Sequence, residues 1–570
     1  MTFYKNTKFY GFYIASGVLI LVFLVFLIIS KNRPIVADDV EALYFSKESG
    51  FYDDEFDLAM YAPSGEIYYT LDGSDPTKDS IKYEGPIHLK DATSNENVYC
   101  LRDDVSAAFR TDLMEKYDLF EHFDPMYKIP DYPVDKCNVV RAVVYYGDDK
   151  YSEIKTATYY VGFDDKPGYD GVNVLSITTD PDNLFAYEDG IYVLGQKFDE
   201  YEQYIGPEDV NWWHWQANFT RIIAEEKPAS VQFFKNGKLV LSQNCGIKPH
   251  GGGSRGLYPK SLNLNVRDEY STYDHFMYNI FENDRYPVGV TVTPGGNDNY
   301  TKLKDYLINE LCSGLECSTM DFEPYVMFLD GEYWGFYWIT EKYDKDYLRY
   351  HYNVLPDNLI MVKNNEIDEG DWTELQLWED LNEFILNNDM CDPANYDRVC
   401  DMIDIDSFID YFAVMIYISR NDDWPHNNLA AWRTRKTGTG KYNDGKWRWL
   451  VFDLNSAEFD DSMIEFDSFE STMKYPFFRD LMRNDSLRNR LLDRILELNE
   501  TNFSSERVEE VLSEYHRITD EPLKADRKRF YTDDVYERCD KETKEIESFI
   551  RNRREYIPEM VEKYRNSPYG

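Results

Sequence analysis

Residues 406–420, DSFIDYFAVMIYISR, are apolar almost all the way round. A helix with no polar face has no place at a surface, so this stretch is predicted to lie inside a lobe, packed on every side. At its end the chain turns abruptly polar, with Asn421, Asp422, Asp423, His426, Asn427 and Asn428 in quick succession. NLAAWRTR (428–435) then reads as a strand, KTGTGKYNDGK (436–446) as a long turn and WRWLVFD (447–453) as the returning strand. An antiparallel hairpin sets the start of its first strand beside the end of its second. Asn428 and Asp453 are therefore expected to meet, with Asp423 in the loop next to them.

That pattern has a chemical meaning. Phosphoryl transfer needs hard oxygen ligands for Mg²⁺ and a carboxylate that orients or deprotonates the attacking hydroxyl. Protein kinases place an Asp and an Asn five residues apart, then a metal-binding Asp after a short hairpin. Asp423-x-x-x-x-Asn428 followed by Asp453 has that order. Asp and Asn also cap helices and build turns, and the local sequence leaves this plainer reading open. His426 is read as a structural histidine. The chain has no H-E-x-x-H, which argues against a zincin.

Composition narrows the partners. The 570 residues carry 105 acidic against 61 basic side chains, a formal net charge of −44. Such a surface repels nucleic acid and anionic lipid, so no nucleic-acid partner is expected. It attracts basic proteins and divalent cations, although a solvated acidic surface also accounts for it. Residues 9–30, FYGFYIASGVLILVFLVFLIIS, are uncharged and long enough to cross a bilayer. They are read as an uncleaved transmembrane anchor that follows a tiny cytoplasmic tail, the two together making 1–33, then an acidic stalk, 34–43, with the rest of the chain extracytoplasmic. The eight cysteines form no C-x-x-C, and their even number in an exported chain points to disulfides. Cys312–Cys317, Cys391–Cys400 and Cys100–Cys137 are the expected local pairs.

Beyond the stalk, residues 44–163 read as short alternating strands with turn punctuation, interrupted by a polar insertion near 100–136. The stretch GEIYYTLDGSDPT (65–77) with YEGPIHL (83–89) resembles the chitobiase/β-hexosaminidase C-terminal-type module, an immunoglobulin-like β-sandwich. That resemblance implies a spacer, or a module contacting cell-surface carbohydrate or protein. From 172 the texture becomes mixed α and β. Hairpins are predicted to turn at Asn236-Gly237 and Asp330-Gly331, and a helix over 300–314 to end at Gly314. The chain after about 473 is predicted to be helical and charged.

Six segments between 172 and 485 resemble, in order, the spore coat protein H (CotH) kinase family of atypical secreted or surface kinases. They are VLSITTDPDNLFAYEDGIYVLG (174–195), GIKPHGGGSRGLYPKSLNL (246–264), GGNDNY (295–300), FLDGEYWGFYWITEKYDKDYL (328–348), NDDWPHNN (421–428) and WRWLVFDLN (447–455). The resemblance implies an α+β chain with an atypical protein-kinase-like core over 172–485 and helices over 486–570 completing it. It implies Asp423 as the catalytic carboxylate, and Asn428 and Asp453 as ligands of Mg²⁺ or Mn²⁺ that hold the phosphates of ATP. Ser254 and Arg255 in the glycine-rich turn HGGGSR, and Lys260 after it, fall where phosphate contacts are expected, with Glu341 as the partner of Lys260. The family often has Asp-x-Asp where this chain has Asp453-Leu454-Asn455, and an RGNSS-like turn in place of KPHGGGS. The activity implied is transfer of the γ-phosphoryl group to Ser/Thr hydroxyls of a surface or exported protein, basic and Ser/Thr-rich given the acidic charge. A non-catalytic surface adhesion protein on the same fold, and transfer of AMP in place of phosphate, are the alternatives.

Overall fold

The computed structural model describes residues 35–36, 42–117, 127–163, 166, 168–169, 171–204, 216–422 and 424–565. Its centre is a seven-stranded barrel. The strands are β1 (Val174–Thr178), β2 (Lys227–Lys235), β3 (Lys238–Pro249), β4 (Leu262–Asn265), β5 (Gly289–Thr293), β6 (Phe322–Leu329) and β7 (Glu332–Thr340). Their pairing runs β2-β1-β6-β7-β5-β4-β3 and returns to β2, antiparallel except between β1 and β6. Closure leaves the ring without an open edge. Its interior is filled by Ile177, Phe233, Ile247, Leu264, Val292 and Tyr337, all fully buried. Both predicted hairpin turns form, and Asn236, Gly237, Asp330 and Gly331 all take positive φ, as a tight two-residue connection between twisted strands demands.

The β-rich N-terminal region folds as predicted. Strands Glu66–Thr70, Asn138–Gly147, Lys155–Val161 and Gly50–Tyr52 make one sheet, and shorter pairs carrying Leu58, Met60 and Leu89 cover its inner face. The sheet touches the barrel where Gly50 pairs with Lys238. The polar insertion does not hang free of this sandwich. The Glu332 carboxylate, at the start of β7, accepts from the backbone N–H groups of Val98 (2.6 Å) and Cys100 (2.8 Å). Cys137 N–H donates to the Gly331 carbonyl and Tyr333 N–H to that of Asp135, each at 2.9 Å. The insertion therefore grips the β6–β7 turn.

Below the barrel lies a helical lobe around α2 (Ile405–Tyr417), which is buried on every face from Ser407 onward. Beside it sits a four-stranded antiparallel sheet, in the order β9-β8-β10-β11, made of β8 (Leu359–Lys363), β9 (Glu366–Glu369), β10 (Ala430–Thr434) and β11 (Arg448–Leu450). Helix α1 (Lys304–Leu311) joins the two halves. Tyr306 stacks on Trp338 of β7, with ring centroids 4.7 Å apart, while Leu307, Ile308 and Leu311 enter the core built around α2. The C-terminal region is helical as expected, and α3 (Ser505–Phe530) returns to the barrel. There Asp526 pairs with Lys302 at 2.9 Å, both side chains almost wholly buried, and accepts the Phe336 N–H at 2.8 Å.

The expected disulfides are not formed. Cys312, Cys317, Cys100 and Cys137 are free thiols packed as small hydrophobes in two cores, and Cys391 and Cys400 are also free. The Cys391 thiol is turned to the Arg483 carbonyl at 3.4 Å. Among the described residues no helix is long and apolar enough to cross a membrane. The anchor expected over 9–30 lies outside the described residues.

Candidate active site

The site begins with a buried cation at the end of α2. Arg420 is almost fully buried, and its guanidinium meets the Asp422 carboxylate in a two-pronged pair, Nε to Oδ1 at 3.0 Å and Nη2 to Oδ2 at 3.1 Å. The same guanidinium donates to the backbone carbonyls of Phe452 (3.0 Å) and Asp453 (2.6 Å) across the β10–β11 hairpin. Burial alone would raise the Asp422 carboxyl, but the Arg420 pair outweighs it and holds it below the ordinary carboxylate range. Asn428 Nδ2 (3.3 Å) and Ser456 Oγ (3.2 Å) donate to the remaining lone pairs of Asp422 Oδ2.

The hairpin register is Ala430 opposite Leu450, so Asn428 and Asp453 leave the same end of the ladder, as the sequence predicts. Both stand in the left-handed region, Asn428 at φ 54° and Asp453 at φ 54°, with Ser419 at φ 55° where the loop begins. A side chain other than glycine is held there at a cost of about 1–3 kcal/mol, and such residues cluster where geometry matters for function. Asp423 lies outside the described residues.

A second carboxylate faces Asp453. Asp305, in the first turn of α1, accepts from Leu454 N–H at 2.9 Å and from Asn455 Nδ2 at 3.2 Å. The same Asn455 nitrogen donates to Asp453 Oδ1 at 2.9 Å, so one amide bridges two acids. Removal from water, then the nearby Asp305 carboxylate, pushes the Asp453 carboxyl up to about 6, and burial raises Asp305 as well. The GGNDNY segment sets this up. Its Asp298 carboxylate caps α1 by accepting from Leu303 and Lys304 N–H at 2.8 Å each, and Asn297 Nδ2 donates to Asn455 Oδ1 at 3.2 Å.

Opposite this acidic corner the cleft is basic. His250, at the end of β3, is pushed down to about 3 by loss of water and then by Arg255, Lys363 and Lys342. Those groups come from the glycine-rich turn, from β8 and from the segment linking β7 to the lower lobe. Lys363 also lies 5.4 Å over the Phe452 ring, next to Asp453. These cations are gathered from three segments of a chain of net charge −44, with Lys363 also paired to Asp368 at 2.9 Å and Lys342 to Asp344 at 3.8 Å.

The remaining predicted residues are placed differently. Ser254 and Arg255 form the single helical turn Gly253–Gly256. Arg255 is buried, donating to the carbonyls of Gly251 (2.6 Å) and Phe219 (3.3 Å), and burial followed by Arg221 lowers it to about 10. Lys260 and Glu341 do not pair. The Lys260 ammonium is fully buried, donates to the Arg255 carbonyl at 2.5 Å and sits 3.9 Å over the Phe219 ring. Burial drives it well below the usual lysine range. Glu341 instead meets His351 at 2.8 Å and Arg285 at 3.5 Å. Lys260, in the segment before β4, folds back onto the carbonyls of the glycine-rich turn, whereas Glu341, just past β7, turns toward the helix Lys345–Tyr352.

Among the described residues no three His, Cys, Asp or Glu side chains converge on one metal position. The donors that do gather are oxygen ligands, Asp453, Asp422 and Asn428, with Asp305 behind them. A buried carboxyl raised by a neighbouring acid, as Asp453 is by Asp305, carries a cost that a hard divalent cation relieves. Sequence reasoning missed Arg420, Asp422 and Asp305. No local signal marked Asp305, because its helix also carries Lys304, Asn309 and Glu310.

The family model described as CotH kinase protein matches residues 247–557, more than half of the 570-residue chain. A second, described as Fn3 associated, matches residues 57–159, the β-sandwich. No curated protein matches the chain.

Proposed function

We propose, from the premise that this chain belongs to the CotH kinase protein family, that it transfers the γ-phosphoryl group of ATP to Ser/Thr hydroxyls of another protein. The observation that carries the reading is the paired arrangement of Asp453 and Arg420: a metal-type carboxylate held on left-handed backbone, with cations across the cleft. Asn428 and Asp453 would hold Mg²⁺ or Mn²⁺, which when bound neutralises phosphate charge during transfer. Asp305 and Asn455 orient the Asp453 carboxylate from behind. Lys342 and Lys363 attract the triphosphate, and Arg255 adds positive field through its buried guanidinium. Asp423 is the candidate to receive or orient the acceptor hydroxyl proton.

A basic acceptor suits the −44 charge, and the uncharged run 9–30 suits a chain anchored with its bulk outside the cytoplasm. Contact of the β-sandwich with surface carbohydrate or protein belongs to the same proposal.

One observation favours a second reading, a surface-binding protein without catalysis: the Lys260–Glu341 pair that active kinases require is not made. Calorimetry with ATP, with and without Mg²⁺ or Mn²⁺, separates the two. Metal-dependent binding supports the kinase; its absence leaves the binding protein. Mass spectrometry of any modified acceptor distinguishes added phosphate from added AMP.

A further inference from the structure

We infer that the insertion of the N-terminal β-sandwich is a working part of the nucleotide site, and that Ser106 within it is a positioning residue for the glycine-rich turn. The inference rests on the kinase reading above. Three independent contacts support it. Ser106 is fully buried, and its hydroxyl donates to the Gly256 carbonyl at 2.7 Å, across 150 residues of sequence. Leu257, the next residue, packs into a small core that the insertion builds from Leu113, Met114 and Tyr117 together with Phe198 and Phe219. Phe109 sets its ring edge against Tyr258, with centroids 5.1 Å apart.

The turn's own restraints are the Arg255 and Lys260 bonds to its carbonyls and two backbone bonds of 3.1 and 3.3 Å. Gly251 stands at φ 107°, Gly252 has open space beside it, and the turn contains a single short helical coil, Gly253–Gly256. A segment so rich in glycine loses much conformational freedom when it is held in one shape. Fixing its far end in advance removes part of that loss from the binding of an anion. Phe219 links the brace to the charge. Its carbonyl accepts from Arg255 and its ring lies under the Lys260 ammonium, while it shares a core with the insertion helix Thr111–Lys116. Moving the insertion moves these two cations.

Nothing comparable is required of a spacer. A spacer meets its neighbour through surface residues, whereas here the insertion supplies a buried hydroxyl and buried apolar side chains to the loop that carries Arg255. The sandwich and the kinase core are therefore coupled, and whatever binds the sandwich is placed to change nucleotide affinity.

The test uses the full chain, ATP and Mn²⁺. Ser106→Ala is expected to raise the nucleotide Kd and the KM for ATP about fivefold while kcat stays within twofold, and Ser106→Thr, which keeps the hydroxyl, to restore most of it. Hydrogen exchange on the unaltered chain gives a second measurement that no folding defect can obscure. Nucleotide is expected to slow exchange in 104–117 together with 250–257. Slowing at 250–257 without any in 104–117, or an unchanged KM in a folded Ser106→Ala, overturns the inference and leaves the kinase reading intact. No metal-dependent nucleotide binding by the unaltered chain overturns both.

Discussion

Arg420 holds Asp453 by its backbone and not by its side chain: Nη2 donates to the Asp453 carbonyl at 2.6 Å while the carboxylate is left to Asn455 and Asp305. The arrangement separates two tasks. The arginine fixes where the residue sits, at φ 54°, and the carboxylate remains able to take a cation. Arg420 also fixes Asp422, so one buried side chain sets both arms of the loop.

Replacing Arg420 therefore does more than remove a charge. Arg420→Ala leaves the nearly buried Asp422 carboxylate unpaired and frees two carbonyls, which costs about 3–5 kcal/mol. Arg420→Lys keeps the charge but cannot reproduce the fork, and is expected to lie between the two in stability. Urea denaturation of the three proteins checks the order. A stability of Arg420→Lys equal to that of the unaltered chain contradicts the role given to the fork.

Asp453 makes the metal-free fold sensitive to pH. Its carboxyl is raised in the folded chain to about 6, above the ordinary value near 3.8 that it takes when unfolded. Between those two values the folded chain binds a proton that the unfolded chain does not, so this group's contribution to stability falls as pH rises through about 6. In chelator-treated protein, the Asp453→Asn variant is expected to lose that component of the pH dependence. Thermal melts from below pH 3.8 to above pH 6 measure it. Asp305→Asn should shift the midpoint downward, because it removes the second-largest cause of the rise.

Helix α3 is tied to the barrel by charge as well as by packing. Lys302→Met strands Asp526 among apolar groups and is expected to destabilise the fold by about 3–5 kcal/mol, whereas Lys302→Met with Asp526→Leu recovers much of that loss. A double-mutant cycle by denaturation reads the coupling. Additive effects of the two changes contradict it.

How legible this was in the sequence depended on the range of each signal. The apolar run 406–420 and the dipeptides Asn236-Gly237 and Asp330-Gly331 have one local solution each, and helix and turns formed where predicted. That Asn428 and Asp453 leave the same end of the hairpin followed from its register alone. Long-range partners were not legible. Asp305 reaches Asn455 over 150 residues and Ser106 reaches Gly256 over the same span, and neither residue stands in a pattern that distinguishes it from a surface polar group. The Lys260–Glu341 expectation failed for the same reason: Lys260 turns back onto the Arg255 carbonyl and Glu341 meets His351 and Arg285, partners that no local pattern marks. The cysteines misled because their even number carries no geometry, and the expected pairs were filled by packing instead.

The central claim is tested most directly by phosphoryl transfer itself. The purified chain, γ-labelled ATP, Mn²⁺ and a basic Ser/Thr-rich protein are to be incubated beside folded Asp453→Asn and Asp423→Ala variants. The account predicts metal-dependent label on protein with the unaltered chain and none above background with either variant. Equal labelling by Asp453→Asn, or an unaltered chain that neither labels protein nor binds nucleotide with metal, would contradict it.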